Sequence, residues 1–102
     1  MNITSSVKIG GITYKVKECA APSEEDPNVD GQILYSKQEL RLKSEMAEEY
    51  KENVFIHEII HGVLELIGVE QDENLVIRLS NAIHQVIKDN PDIFKEVSAV
   101  GK

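Results

Sequence analysis

The first half of the chain alternates apolar and polar residues, which predicts extended structure. Residues 3–9 and 12–18 both alternate in this way, and Gly10-Gly11 lies between them. A pair of glycines between two alternating segments is typical of the two-residue turn of a β-hairpin. The sequence therefore predicts an N-terminal hairpin with strands at residues 3–9 and 12–18.

A polar segment follows the hairpin, and alternation then returns. Residues 21–31 hold two prolines, one glycine and four acidic residues, a composition that predicts a surface loop. Alternation resumes in residues 32–36 and again in residues 38–43. These two short runs predict a third and a fourth strand, each with one buried face.

The second half of the chain changes to helical spacing. Apolar residues recur every fourth position from Met46 into an apolar stretch that ends at Gly68, a natural stop for a helix. Ser44 is predicted to cap this first helix, because its hydroxyl could accept a hydrogen bond from the free backbone amides there. A second helix is predicted from near Asp72 until Asn-Pro at residues 90–91 breaks it.

The second helix is predicted to bury one apolar side. The residues on that side are Leu75, Leu79, Ala82, Ile83, Val86 and Ile87. A short helical turn is expected afterwards, in residues 91–97. Strands first and helices afterwards favour an α+β fold, with a small, mainly antiparallel sheet of three to four strands followed by two main helices. At 102 residues the chain is expected to form a single domain, residues 1–102.

Charge and cysteine content narrow the classes of function. Eleven Lys and Arg against eighteen Asp and Glu give a net charge of -7, which repels phosphate backbones, so no nucleic-acid partner is expected. No apolar run reaches the ~18 residues of a membrane span, and the N-terminal stretch lacks the features of an export signal. We therefore expect no membrane partner and a cytoplasmic location. Cys19 is the only cysteine, so any metal must be held by His and carboxylate.

The segment HEIIH, residues 57–61, carries candidate chemistry. On a helix, His57 and His61 lie on one face about 6 Å apart along the axis, so both imidazoles can reach one ion. Imidazole nitrogens suit zinc, and a catalytic zinc site keeps three protein ligands and an exchangeable water. A carboxylate beside the metal can take a proton from that water and pass it to the leaving amine. We therefore predict His57 and His61 as zinc ligands and Glu58 as the general base.

The surroundings of this motif bear on its specificity. A helical His pair also occurs as a cap, a surface pair or a core histidine. Here the motif lies in an apolar helix, VFIHEIIHGVLELIG, where each unpaired buried polar group costs about 1 to 3 kcal/mol, so two His and a Glu need a reason to be there. Gly62 follows the second His and either admits a close approach by a backbone or a substrate, or simply packs the helix.

The third ligand is expected to be a carboxylate, because Ile67 stands where the extended metzincin motif has its third His. The candidates are Glu65, Glu70, Asp72 and Glu73. Glu65 lies about 12 Å along the helix axis from His57, which makes convergence on one ion poor. Glu70 and Asp72 lie in the connection between the helices. Glu73 belongs to the first turn of the second helix, a rigid element that positions a ligand better than a loop, so Glu73 is favoured.

Three further residues have two interpretations each. His84 lies eleven residues after Glu73, about 16.5 Å further along the helix, so the two residues cannot bind one ion together. His84 either donates to the oxyanion of a reaction intermediate or packs between helices, and packing is favoured. Tyr35 and Tyr50 could likewise stabilise an oxyanion or fill a small core. None of these three residues is therefore placed in the catalytic set.

Four segments of the chain resemble those of a known family. They are GITYKV, GQILYSKQELRLK, HEIIHGVLELIG and DENLVIRLSNAIHQVIKDNP, which span most of residues 10–94. The most specific elements are HEIIH, the start of the second helix at Glu73 and the closing Asp-Asn-Pro. The segments resemble the small phage- or prophage-type metallopeptidase-like proteins related to the ImmA/IrrE family, in the gluzincin branch of the zincins. The resemblance implies a minimal zincin-like fold and supports Glu73 as the third zinc ligand.

The resemblance also implies how a substrate would bind. An extended peptide would pair with an edge strand of the sheet above the zinc, and residues 32–36 or 38–43 would supply that edge. Larger relatives cut repressor-like regulators, so a protein or peptide of that kind is the implied substrate. This chain departs from those relatives because it has no helix-turn-helix or other recognition module.

The function predicted from the sequence is therefore hydrolysis of a peptide bond by zinc-activated water, with Glu58 as general base. In one alternative, zinc is a structural staple of a regulatory or interaction module with little or no activity, and a fourth protein ligand would favour that alternative. In another, a metal-free interaction protein binds a basic partner through the acidic segments SEEDPNVD and EMAEEYKE.

Overall fold

The computed structural model describes residues 1–93 and has the α+β architecture that the sequence predicts. Four strands come first and two helices follow. Their bounds are β1 Ser6–Ile9, β2 Ile12–Cys19, β3 Gly31–Leu34, β4 Glu39–Lys43, α1 Glu48–Ile67 and α2 Glu73–Asp89. The short turn expected in residues 91–97 lies mostly outside the described residues. Neither α1 nor α2 is long and apolar enough to cross a membrane.

The strands form one sheet in the order β1-β2-β4-β3. The pairs β1–β2 and β3–β4 are antiparallel, whereas β2 and β4 are parallel. The expected mainly antiparallel sheet is therefore confirmed, with one parallel pairing that arises because β4, rather than β3, lies against β2. This order leaves β3 at the edge. Two segments were candidates for the free edge. Residues 32–36 overlap β3, which is an edge strand. The alternative, residues 38–43, is wrong because that segment forms β4, which is paired on both sides.

The predicted hairpin is confirmed, and its turn shows why two glycines are needed there. Gly10 has φ 60° and Gly11 has φ 87°. Positive φ at both central residues gives the mirror-image turn whose twist matches that of antiparallel strands, and only glycine adopts it without strain. The turn sets the register in which Ile9 lies opposite Ile12.

Helix α1 lies between the sheet and α2 and has an apolar core on each side. The core against the sheet consists of Ile9, Tyr14, Ile33, Leu40, Leu42 and Phe55. The core against α2 consists of Ile56, Ile60, Leu64 and Val76. A Cβ atom on Gly62 would come within 2.8 Å of Ile9 Cδ1, so Gly62 packs the helix onto the sheet. The motif helix is thus held from both sides.

The start of α1 differs from the sequence prediction. The helix begins at Glu48, and its N-cap is Ala47, without a side-chain cap hydrogen bond. The predicted cap at Ser44 is wrong because Ser44 lies three residues before Ala47 and continues the pairing of β4 with β2, in which its amide donates to Cys19 O at 2.8 Å. The end of the helix is as predicted, since Gly68 adopts the left-handed conformation with φ 71°.

Helix α2 turns a different side inward from the one predicted. Its buried residues are Val76, Ser80 and His84, which are spaced by one turn and face α1. Leu79 and Ile87 pack beside them as expected, but Leu75, Ile83 and Val86 are exposed. The prediction of a purely apolar buried side was wrong because His84 is buried against a polar partner on α1. A pattern of apolar residues alone cannot predict such a buried polar contact.

Candidate metal centre

The middle of α1 and the first residue of α2 bring three candidate ligands together. His57 Nε2 lies 2.7 Å from Glu73 Oε1, and His61 Nε2 lies 3.2 Å from Glu73 Oε2. One ligand atom from each of the three residues lies within 4.8 Å of the other two. The two imidazoles are partly buried, while 62% of the Glu73 side chain is exposed. The set predicted from the sequence therefore converges at one point.

The competing carboxylates lie elsewhere. Glu70 and Glu65 are exposed and are not in the cluster found within residues 1–93. Asp72 has a different role, since its side chain accepts hydrogen bonds from the amides of Asn74 and Leu75 as the N-cap of α2. That cap begins the helix at Glu73 and so fixes the position from which the Glu73 carboxylate extends.

Gln71 orients His61, and sequence reasoning missed it. His61 Nδ1 lies 2.8 Å from Gln71 Oε1, and Gln71 Nε2 donates to His61 O at 3.1 Å. Because the amide oxygen only accepts, Nδ1 donates to it, which leaves Nε2, the nitrogen beside Glu73, as the one available to a metal ion. Such an outer contact fixes the tautomer of a metal-binding His. The sequence carried a signal, an amide in the short connection between the helices, but only acidic residues were sought there.

Glu58 is buried beside the cluster, with only 7% of the residue exposed. The pKa of Glu58 is raised to about 7, chiefly by burial, while His61 opposes the shift and Glu73 adds to it. The neighbouring Ile33 backbone lowers the pKa of the same carboxyl group, against the larger effect of burial. Burial also lowers the pKa of His57, against the opposing effect of Glu73. A carboxyl group with such a pKa can both take up and release a proton near neutral pH.

A cleft of about 790 Å³ contains the cluster. Its walls are α1, α2 and the β3 edge, and the charged side chains that line it within the described chain are all acidic: Asp30, Glu58, Glu65 and Glu73. Gly31 lets β3 come close to α1, because a Cβ there would lie 2.5 Å from Val54 Cγ1 and 3.3 Å from Glu58 Cγ. Glu58 and the sheet edge are therefore neighbours.

The β3 edge presents backbone groups to this cleft. The Lys43 amide donates to Asp30 O at 2.9 Å, so Asp30 and Lys43 form a hydrogen-bonded pair of the antiparallel ladder. Pairs alternate along such a ladder, and Gly31 and Ile33 must therefore point their amide and carbonyl groups away from β4. The backbone groups of Gly31 and Ile33 therefore face outward from the sheet edge.

The two tyrosines of uncertain role both have protein partners. Tyr35 donates to His61 O at 3.2 Å, and burial is the main cause that raises its pKa to about 12. Tyr50 donates to Asp30 Oδ2 at 2.5 Å, and this hydrogen bond is the main cause that raises the pKa of Tyr50. Each hydroxyl therefore supports one end of the cleft.

His84 is part of a second polar cluster. It is 8% exposed, and its Nε2 lies 3.1 Å from Glu52 Oε1. This pair is in the interface between α1 and α2, so the packing role favoured from the sequence agrees with its position. Neither Glu52 nor the partners of His84 were considered in reading the sequence.

The residues present fit a zinc ion in their chemistry. Two imidazole nitrogens and one carboxylate are a donor set that catalytic zinc sites use, and the His61 contact to Gln71 keeps one imidazole in the ligating tautomer. An exposed carboxylate can also contact His by ion pairing alone, so the arrangement fits zinc without being diagnostic of it. Comparisons with family models, curated proteins and solved structures found no match.

Proposed function

We propose that this chain is a zinc-dependent peptidase, with His57, His61 and Glu73 as metal ligands and Glu58 as general base. The observation that carries the proposal is the convergence of those three side chains beside a buried carboxyl group, in a cleft bordered by a free sheet edge. The substrate that we propose is a protein or peptide, with a repressor-like regulator implied by the family resemblance, and the cytoplasm is the proposed location.

Each residue has a distinct task in the proposed reaction. Bound zinc would supply a Lewis acid and a water of lowered pKa. Glu58 would take a proton from the attacking water at a carboxylate oxygen and deliver it to the leaving amine nitrogen. Its buried position would limit the access of bulk water to that transfer. Gln71 would keep the His61 ring oriented throughout.

The β3 edge would align the substrate. Gly31 and Ile33 turn unpaired backbone groups outward, and an extended peptide could add to the sheet there by main-chain hydrogen bonds. Gly31 and Ile33 also line the cleft, so a peptide paired with them would pass next to the cluster. Binding of this kind fixes the scissile bond without requiring a particular side chain.

The number of ligands also distinguishes a peptidase from the alternative, a zinc-binding module with little or no activity. A structural zinc site is closed by a fourth protein ligand. The cluster in residues 1–93 has three side chains and opens onto the cleft, which supports a catalytic role over a staple.

Metal content and turnover test the proposal together. We expect one zinc per chain by elemental mass spectrometry, lost in a His57→Ala, His61→Ala double variant. Glu58→Gln should retain the zinc and lose about 10² to 10⁴-fold in hydrolysis of a quenched-fluorescent peptide library, the usual contribution of a general base. Glu65→Gln, which changes another cleft carboxylate outside the cluster, is the matched control. Full turnover by Glu58→Gln would refute its assigned role.

A further inference from the structure

We infer that Asn53 and Asn81 form a peptide-binding subsite of the cleft, oriented by the buried Glu52–His84 pair; this inference rests on the proposed peptidase function. Asn53 lies on α1 and Asn81 on α2, and Asn53 Nδ2 donates to Asn81 Oδ1 at 2.9 Å. Both residues line the cleft that contains the metal cluster. The chemical group that this pair fits is a peptide amide.

The Glu52–His84 pair fixes the tautomer of the imidazole. His84 Nε2 lies 3.1 Å from Glu52 Oε1, and only 10% of each side chain is exposed. A carboxylate accepts hydrogen bonds, so Nε2 carries the proton, and in the Nε2–H tautomer Nδ1 is an acceptor. That acceptor lies 3.5 Å from Asn53 Nδ2. The buried pair thereby selects which end of the Asn53 amide turns towards it.

The amide oxygen of Asn53, a residue that lines the cleft, is consequently left free of His84 and Asn81. Its nitrogen lies between two acceptors, Asn81 Oδ1 and His84 Nδ1. Within residues 1–93 no protein donor reaches Asn53 Oδ1, and no buried side-chain polar atom lacks a partner, so this oxygen is accessible to solvent. Asn81 uses its oxygen for Asn53, which leaves its Nδ2 as a donor. One acceptor and one donor side by side complement the N–H and C=O of a peptide.

The position of the subsite indicates which part of a substrate it would hold. Asn53 precedes His57 by one helical turn, which is about 6 Å along the axis. An extended peptide advances about 3.3 Å per residue. The subsite therefore contacts a peptide group about two residues from the bond at the metal. His84 and Glu52 are positioning residues, because they act only through Asn53.

Zinc-binding probes with and without peptide groups test the subsite. The affinity of acetohydroxamic acid reports binding to the metal alone. Two further probes are peptide hydroxamates, which carry dialanine on one side or the other of the hydroxamate group, so that one of them extends towards the subsite. On zinc-loaded protein, we expect Asn53→Leu to weaken the tighter peptide hydroxamate about 3- to 10-fold, the worth of one hydrogen bond, without changing acetohydroxamic acid binding. Asn81→Leu, at an exposed position, should act alike if Asn53→Leu folds poorly. Equal weakening of both probes, or of neither, would overturn the subsite.

Gln85→Leu is the matched control for these variants. Gln85 lies one turn beyond Asn81 on α2, but its amide donates to Asp89 and does not line the cleft. The substitution makes the same change from amide to leucine outside the subsite. We expect its binding of all three probes to equal that of the parent protein.

The positioning role has its own spectroscopic signature. Long-range ¹H–¹⁵N spectra should show His84 protonated at Nε2 and unprotonated at Nδ1. Glu52→Gln, whose amide can accept from or donate to Nε2, should admit the other tautomer and weaken only the peptide hydroxamate. A role confined to stability would lower the unfolding midpoint and leave the ratio of the two affinities unchanged. An Nδ1-protonated ring in the parent protein would refute the assigned orientation.

Failure of the metal site is distinguishable from failure of the subsite. Zinc-loaded protein that does not bind acetohydroxamic acid would refute the proposed function. The subsite is then tested on metal-free protein with acetyl-tetraalanine amide, by following the side-chain amide signals of Asn53 and Asn81. Shifts of both signals in the parent protein, with no shift of the Asn81 signal in Asn53→Leu, support the subsite, and unchanged signals in the parent protein at saturating peptide overturn it.

Discussion

Imidazole and carboxylate groups meet between α1 and α2 at two places, which we call the open contact and the closed contact. The two places differ mainly in their access to water. In the open contact, His57 and His61 meet Glu73 at 2.7 and 3.2 Å, and 62% of the Glu73 side chain is exposed. In the closed contact, His84 meets Glu52 at 3.1 Å, and only 10% of either side chain is exposed. The same chemical groups thus occur twice in one helix interface, in two different environments.

The difference in burial indicates different roles. Glu73 extends from the first residue of α2 into a cleft, so it can adjust to an ion and exchange with solvent. Glu52 and His84 are fixed by surrounding side chains, and separating them would leave a buried polar group without its closest partner. We therefore expect the open contact to govern metal binding and the closed contact to govern the stability of the helix pair, with any effect of the closed contact on peptide binding passing through Asn53. The following predictions test that division.

Breaking the closed contact should have the largest effect on folding. His84→Leu leaves the buried Glu52 carboxylate with the N-terminal ammonium of Met1, 3.7 Å away, in place of its closer partner, which we expect to lower the free energy of unfolding by about 1 to 3 kcal/mol. Urea titration followed by circular dichroism measures the loss. The double variant Glu52→Leu, His84→Leu is the control, because it also removes the buried carboxylate and should recover most of the stability. A loss below about 1 kcal/mol in His84→Leu would contradict the structural role.

The open contact should respond to zinc instead. Zinc at one hundred times its Kd should stabilise the folded protein by about 2.7 kcal/mol, seen as a raised melting temperature. Glu73→Ala should reduce this gain sharply while changing the metal-free stability little, because the side chain is largely exposed. Glu70→Ala, an exposed carboxylate three residues earlier, is the matched control. Equal zinc responses in the two variants would move the third ligand away from Glu73.

The open contact could be predicted from the sequence, whereas the closed one could not. His57 and His61 are separated by one helical turn, so their shared face follows from local geometry alone. Glu73 was favoured because it starts a rigid helix, and the structure brings it to both rings. Glu52 and His84 are 32 residues apart, and their contact depends on how α2 is rotated against α1. Apolar periodicity predicted another rotation, with Ile83 and Val86 inward, and both are exposed.

The sheet shows the same limit. The β1–β2 hairpin follows from Gly10-Gly11, a local signal that sets both turn and register. The parallel pairing of β2 with β4 has no local signal, because nothing in either strand's alternation specifies its neighbour. Ser44 failed as a helix cap for a related reason: it continues the pairing of β4 with β2, and a side-chain preference cannot reveal that.

The N-cap of α2 should couple to the open contact only. Asp72→Ala removes the acceptor for the amides of Asn74 and Leu75, and we expect it to cost about 1 kcal/mol of stability. Fraying of that first turn would also displace Glu73 and weaken zinc binding. Asp72→Ser keeps a capping oxygen and is the control. Amide hydrogen exchange should increase around Glu73 and remain unchanged around His84; an equal increase at both would show that the two contacts are not separable.

The smallest effect is expected from the ion pair that also bridges the two helices. Lys88 contacts Glu49, beyond the closed contact, and 41% and 66% of these side chains are exposed. Solvent screens such a pair, so Lys88→Ala should change the free energy of unfolding by less than about 0.5 kcal/mol. Lys88→Ala and His84→Leu each remove one contact to a carboxylate between the same two helices, but only the His84 contact is buried. Comparing their stability losses in identical urea titrations therefore measures the effect of burial. A loss in Lys88→Ala as large as that in His84→Leu would mean that burial does not distinguish these contacts.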